Sequence, residues 1–184
     1  MKKFFITVLF AFIAICAFAQ KDIPAGMRME VAEVEENNRE YSIFTYKDEY
    51  GTLEYYLSLG RVFRLLEIAK DDVPDMSLSQ IDEACICLGA TAEEAFASID
   101  SILELFNADL GTTKEFPSRL TTGADRLGAP STATCIVVKR FLQGKRLSFT
   151  FIVKNHTGHT DLTKSAVKSL KGVFKFNQKL HPNG

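Results

Sequence analysis

The residues whose types and spacing come closest to a metal site are two histidines and an aspartate near the C-terminal end of the chain. His156, His159 and Asp161 form a His-x-x-His-x-Asp run, and zinc needs such donors to converge within about 2.0–2.2 Å of the ion. A turn leading into a helix could bring them together, but the spacing does not require it. The alternative is a polar loop between a strand and the last helix, in which Thr160 or Asp161 caps that helix. We therefore expect no metal and no cofactor.

Nucleophilic catalysis has less support in the sequence. Cys135 and His156 would form a Cys–His pair only if the fold joined them. Cys135 lies in an apolar run that predicts a buried strand, where a thiolate is disfavoured. The chain carries neither a G-x-S-x-G nucleophile motif nor a glycine-rich phosphate-binding loop. We assign no catalytic residue.

Five cations in the second half of the chain predict a weak anion-binding surface. They are Lys114, Arg119, Arg126, Lys139 and Arg140. The first three are spread through a Thr- and Gly-rich stretch at 107–131, and the last two follow on the next predicted strand. Cations beside hydroxyl and amide donors are what a carboxylate or phosphate group needs. The competing interpretation is a solvated linker whose charges only balance an acidic first half.

Charge is distributed very unevenly along the sequence. Residues 20–110 hold seven Lys or Arg and twenty Asp or Glu, a net charge of −13, whereas residues 111–184 hold thirteen basic and three acidic residues, a net charge of +10. Opposed segments of one domain can neutralise each other, and a basic surface can also hold an anionic partner. An exported chain without a recognition motif is not expected to bind nucleic acid.

The first nineteen residues predict a secretory signal peptide. Lys2 and Lys3 are followed by an almost unbroken apolar run, which ends in Ala17-Phe18-Ala19. We expect cleavage after Ala19 and a periplasmic or secreted protein. A lipoprotein anchored at Cys16 is the alternative, although Ile15 before it is larger than usual there. No later apolar run is long enough to cross a bilayer, so the mature chain is predicted to lack a transmembrane segment.

Cysteine spacing leaves two interpretations open. Cys85 and Cys87 are two residues apart, so on a strand they would point to the same face. A disulfide between one of them and Cys135 is conceivable in an oxidising compartment. The alternative is three small buried thiols, because free cysteine is among the most buried residue types.

The elements that must position these residues follow from periodicity and turn signals. They are strands at 29–35, 41–47 and 52–59, a strand at 81–88, a helix from Thr91 to Asn107, an irregular loop at 107–131, a hairpin of strands 132–142 and 146–154 across Gln143-Gly144-Lys145, and a helix at 161–174. The stretch 61–70 fits either a helix or a strand that continues past a bulge at Gly60. Thr91 and Glu94 have the spacing of a capping box.

The expected architecture is α+β: an antiparallel sheet of about six or seven strands with two main helices packed on it. Of 184 residues, 46% are hydrophobic and 24% charged, which excludes a disordered chain, a collagen-like fibre and a small disulfide-stapled toxin. Residues 20–184 are predicted to form a single domain.

The expected function is that of an exported, non-catalytic binding or accessory protein of the cell envelope. Its partner would be an anionic glycan, a lipid head group or an envelope protein. The alternative is a small periplasmic hydrolase that works from the 107–131 loop.

Overall fold

The protein folds into eight strands and two helices in a computed structural model that describes residues 23–64, 82–121, 126–142, 144–153 and 156–180. In chain order these are β1 (Met27–Glu36), β2 (Arg39–Lys47), β3 (Leu53–Arg64), β4 (Asp82–Gly89), α1 (Ala92–Leu105), β5 (Thr113–Thr121), β6 (Ser131–Arg140), β7 (Gly144–Val153), β8 (His156–Leu162) and α2 (Lys164–Leu180). The predicted signal peptide at 1–19 and residues 65–70 of the ambiguous segment lie outside the described residues.

Every strand pairs antiparallel with its neighbour in sequence, so the spatial order is simply β1 to β8. A further pairing joins β3 to β8, with Phe63 opposite His159 and Arg64 opposite Gly158, so the sheet curls back on itself. The predicted antiparallel sheet with two helices is confirmed. The predicted count of six or seven strands is wrong, because β5 and β8 lie in segments expected to be loops.

Strand β5 corrects the expectation of one irregular loop at 107–131. Phe116 and Leu120 are buried in the main core, whereas the intervening Pro117 is exposed. A proline in mid-run argues against a strand, but pairing with β4 on one side and β6 on the other overrides that local signal.

The main core lies between one face of the sheet and both helices. Buried residues of α1 and α2 form one hydrophobic cluster with the inward side chains of the strands. At its centre the ring of Phe174 stacks on Phe96, with centroids 4.3 Å apart, and tilts against Tyr55 at 5.8 Å. Lys171 of α2 also forms an ion pair with Asp100 of α1. The helices are therefore neighbours on one face.

The starts of the helices show one correct and one incorrect prediction. The Thr91–Glu94 capping box at the start of α1 is present. Helix α2 begins later than predicted, because β8 continues through Leu162. Its cap is neither Thr160 nor Asp161 but Thr163, whose Oγ1 accepts a hydrogen bond from the Ala166 amide at 2.9 Å.

Strand β3 resolves part of the ambiguous segment. Gly60 has a φ of 74°, and the register with β4 shifts between Ser58 and Arg61. Such a bulge lets a strand change direction without ending. The strand alternative is therefore confirmed as far as Arg64. Among the described helices none has both the length and the apolarity needed to cross a membrane.

Candidate functional site

The structure does not bring the five predicted anion-binding residues together. Lys114 turns toward α1, where its Nζ donates to Ser101 Oγ at 2.5 Å. Arg119, five residues later on β5, lies on the opposite face of the sheet, beside Glu54. Arg126 is exposed in the segment after β5. Strand alternation therefore separates Lys114 and Arg119 too far for them to share a ligand.

Arg119 already has partners within the chain. Its Nη1 donates to the Gly128 carbonyl at 3.3 Å, and its Nη2 lies 3.9 Å from Glu54 Oε2. The same Glu54 oxygen accepts a hydrogen bond from the Tyr56 hydroxyl. A ligand anion at Arg119 would have to compete with Glu54.

Arg119 borders a set of charged and hydroxyl side chains on the sheet face that carries no helix, which we call the charged face. Its members are Arg28, Glu30, Glu54, Tyr56, Ser58, Glu83 and Arg119. They surround a second, smaller hydrophobic cluster of Phe44, Tyr46, Tyr56, Cys85 and Leu127. The outward positions of β3 predict this face, because Glu54, Tyr56 and Ser58 alternate with apolar residues. Our sequence interpretation did not single them out.

Arg28 is the centre of the charged face. Its Nη1 lies 2.6 Å from Glu83 Oε2, and its Nη2 lies 3.1 Å from Glu30 Oε1. The guanidinium also sits over the Phe44 ring, 5.0 Å from its centroid. Ser58 donates a hydrogen bond to the other oxygen of Glu83. These contacts hold β1, β3 and β4 in register.

Ion pairs within the charged face compete with anion binding, and burial affects the protonation of its thiols and of Tyr56. Three carboxylates face two guanidinium groups, so the cations are already neutralised. Burial raises the pKa of Cys85, of Cys87 and of the Tyr56 hydroxyl. These groups therefore stay protonated near neutral pH, and a protonated thiol is a weak nucleophile. We regard the charged face as structural.

Cys135 is separated from the other two cysteines by the sheet. It belongs to the main core on the helix side, whereas Cys85 and Cys87 lie on the opposite face. Their spacing predicted that these two cysteines share a face. All three are free thiols, and burial raises the pKa of Cys135 to about 12. The conceivable disulfide between Cys135 and one of the others does not form in this fold.

The histidine–aspartate run belongs to the sheet, and its His159 and Asp161 side chains have partners within the protein. It lies on β8 rather than in a loop, and His159 shares a hydrogen bond with Thr150 Oγ1 through its Nδ1 at 3.1 Å. Asp161 accepts two hydrogen bonds from Arg140, from Nε to Oδ2 at 2.9 Å and from Nη2 to Oδ1 at 3.1 Å. In the described part of the chain no three potential metal ligands come together.

The Arg140–Asp161 pair also sets the protonation of Asp161. Burial alone would raise the pKa of this carboxyl, but hydrogen bonds from Arg140 and Ser148 outweigh burial and lower it. Asp161 is therefore ionised near neutral pH and neutralises much of the charge of Arg140. Arg140 joins β6 to β8 rather than standing ready for a ligand.

The end of the β6–β7 hairpin differs from the prediction in a way that exposes two apolar side chains. Strand β6 ends at Arg140, which pairs with Gly144 at the start of β7. Phe141 and Leu142, predicted to continue the strand, instead lie in the turn and are 89% and 91% exposed. The predicted Gln143-Gly144-Lys145 turn is therefore shifted toward the N-terminus.

Cations and a neighbouring loop surround this turn. Lys139 lies opposite Lys145 in the β6–β7 register. Lys145 Nζ donates to the Ala108 carbonyl at 2.5 Å, which brings the loop after α1 and its half-exposed Leu110 beside the hairpin. We call the surface formed by these residues the hairpin end. Its members are Leu110, Lys139, Arg140, Phe141, Leu142 and Lys145.

One signal in the sequence could have predicted the hairpin end. Phe141 and Leu142 directly follow Lys139-Arg140 and are separated from Lys145-Arg146 by Gln143-Gly144. Two basic pairs around an apolar pair are more typical of an exposed turn than of a strand interior. Comparison of the chain with family models, with curated proteins and with solved structures finds no match.

Proposed function

We propose that this protein is an exported, non-catalytic binding protein of the cell envelope, and that its hairpin end contacts an anionic partner. The main support for this proposal is the exposed Lys139. It lies opposite Lys145 and next to Arg140, close to the tip of an otherwise well-paired hairpin. Of the five residues predicted to bind anions, Lys139 and Arg140 are the two that lie at the end of this hairpin.

The wider charge layout supports this proposal. The segment 20–110, with its net negative charge, contains β1–β4 and α1. The segment 111–184, with its net positive charge, contains β5–β8 and α2. Some of the excess is neutralised internally, as in the Lys171–Asp100 and Arg119–Glu54 pairs. All members of the hairpin end except Leu110 belong to the basic segment, whose net positive charge favours the approach of an anion.

Titration with dextran sulfate, a soluble polyanion, tests the proposal. We expect the protein to bind it at low salt and more weakly at higher salt, because salt screens exposed charges. Lys139→Glu changes the charge by two, so it should weaken binding about threefold to tenfold, since each exposed charge contributes up to about 1 kcal/mol. Lys168→Glu, at an exposed position of α2, is the matched control and should weaken binding less. The proposal fails if the wild type does not bind dextran sulfate, or if the two variants bind alike.

A further inference from the structure

The two side chains at the tip of the β6–β7 hairpin are the most exposed large apolar pair among the described residues. Phe141 is 89% exposed and Leu142 is 91% exposed. Single exposed apolar residues are common on protein surfaces, but two adjacent ones at the summit of a hairpin form a projection. Leu110, in the loop that Lys145 contacts after α1, is a further exposed apolar residue at 54%.

Backbone geometry shows that the fold itself does not favour leucine at the tip. Leu142 has a φ of 61°, in the left-handed region that Gly and Asn adopt readily and that bulky residues rarely adopt. Strain of this kind persists most often where a residue serves a function. Asn or Gly would suit the turn better and would remove the exposed apolar group.

The surroundings of the tip define the chemistry of a partner. Lys139 and Lys145 flank the apolar pair on the two strands, and Arg140 precedes it. Asp161 is bound to Arg140, and Asp109 is exposed in the neighbouring loop. The tip therefore combines a protruding apolar group with cations set slightly behind it.

We propose that the hairpin end docks on an anionic lipid bilayer, with Phe141 and Leu142 entering the head-group region and Lys139 lying among the head groups. This inference rests on the proposed function and names the partner. Bilayers accept protruding apolar side chains and attract nearby cations.

A protein partner fits the tip less well than a bilayer does. A stable protein interface covers about 800 Å² on each partner, and a convex tip of two side chains offers much less. Because only two or three apolar side chains are available, the attachment is weak and reversible.

The absence of tryptophan from the sequence allows a direct test. Phe141→Trp places a single fluorescent reporter at the tip, and Ile152→Trp places one at another exposed apolar position of β7, 72% exposed and eight residues beyond the start of the strand. Both proteins are purified after export, so that their N-termini are the same. They are then mixed with phosphatidylglycerol vesicles and with phosphatidylcholine vesicles.

With phosphatidylglycerol vesicles, we expect the Phe141→Trp emission to shift to shorter wavelength and to be quenched by brominated acyl chains. With phosphatidylcholine vesicles, neither change should occur. The Ile152→Trp emission should not change. Co-sedimentation that leaves the Phe141→Trp emission unchanged would show that another surface binds lipid and would overturn the inference. Equal binding to both vesicle types, or to neither, would also overturn it.

A double variant separates this inference from the proposed function. Phe141→Ser with Leu142→Asn removes the apolar tip and keeps every cation. Its vesicle binding should fall at least about tenfold, while its dextran sulfate binding stays that of the wild type. If vesicle binding is unchanged, the inference fails and the proposed function stands. If wild-type protein binds no dextran sulfate, the proposed function fails on its own test.

Discussion

Glu30 shows how position within the charged face sets the behaviour of one carboxyl group. Its Oε1 pairs with Arg28 at 3.1 Å, but its Oε2 is buried and has no hydrogen-bond partner among the described residues. Burial raises the pKa of this carboxyl. A hydrogen bond from Ser42 and the charge of Arg28 lower it by less, so the pKa is raised on balance. The folded protein therefore favours the protonated form of Glu30 more than the unfolded chain does.

The sign of the pH effect follows from that shift. A folded-state pKa above the unfolded value contributes stability at low pH, which is lost as pH rises through the folded pKa. Glu30→Gln removes the ionisation. The free energy of unfolding of this variant, relative to that of the wild type, should therefore be higher at about pH 7 than at about pH 4. About a third of the side chain is exposed (36%), so we expect a difference of only a few tenths of a kcal/mol.

Urea unfolding at the two pH values measures this difference for Glu30. Glu33→Gln, at an exposed position of the same strand, is the matched control. A Glu30→Gln protein that loses more stability relative to wild type at about pH 7 than at about pH 4 would contradict the assignment.

Leu142 allows a second prediction for a single residue. Its left-handed backbone costs about 1 kcal/mol for a residue with a bulky side chain, and its side chain is almost fully exposed. Leu142→Asn should therefore raise the free energy of unfolding by roughly 0.5–1 kcal/mol. Chemical denaturation gives the value. A loss of stability would show that the side chain packs against something in the fold.

Some helices and strands of this fold can be predicted from their own residues alone, and others cannot. Helix α1 is predictable because Thr91 and Glu94 cap it and its apolar residues repeat with helical spacing. Strand β3 is predictable from its period-two alternation. These signals are local, so they need no knowledge of the partner strands.

Elements that depend on distant partners were missed. The sequence of β8 is typical of a polar loop, because His, Thr and Gly give little indication of a strand. The strand is stabilised by pairing with β7 and β3. Strand β5 contains Pro117 and is held by two neighbours. The exposed tip was missed because Phe141 and Leu142 are apolar, and apolar residues are ordinarily assigned to strand interiors. The charged face could have been predicted, but which carboxylate meets which arginine depends on register.

Thr163 links two elements and should matter more than an ordinary helix cap. Its Oγ1 caps α2 through the Ala166 amide, and its hydroxyl and that of Ser165 donate to the Glu36 carboxylate of β1. Thr163→Val keeps the shape and removes both contacts. We expect a loss of about 2 kcal/mol, against about 1 kcal/mol for Thr91→Val at the exposed cap of α1.

Thermal and urea unfolding of both variants check this comparison. Hydrogen bonds from the Ser165 and Thr163 hydroxyls offset the effect of burial and hold the pKa of Glu36 below its usual range. Removing one of them should raise that pKa toward its ordinary value, which NMR titration can follow. Equal losses for the two variants would mean that the link to Glu36 is energetically silent.

At the scale of the whole molecule, Phe174 is where both helices and the sheet meet. It is fully buried against Phe96 of α1 and Tyr55 of β3. Phe174→Ala should lower the free energy of unfolding by about 3–5 kcal/mol. Because both helices and the sheet share this contact, circular dichroism and tyrosine fluorescence should report the same lowered midpoint.

Phe176 supplies the matched control for Phe174. It lies two residues further along α2 and is 55% exposed. Phe176→Ala should change stability by no more than about 0.5 kcal/mol. If Phe174→Ala gives two separate transitions, helices and sheet unfold independently and the layers are not one cooperative unit.

The last helix is fastened to the first strands of the chain. Asn177 Nδ2 donates to the Val31 carbonyl at 2.6 Å, and Thr163 and Ser165 bind Glu36. Strand β1 is synthesised before every other described element, and α2, which covers part of it, is synthesised after them. An emerging chain therefore cannot complete this domain until α2 is available. If the protein is exported, as proposed above, this delay would be useful, because a chain that stays unfolded can still be threaded through a narrow export channel.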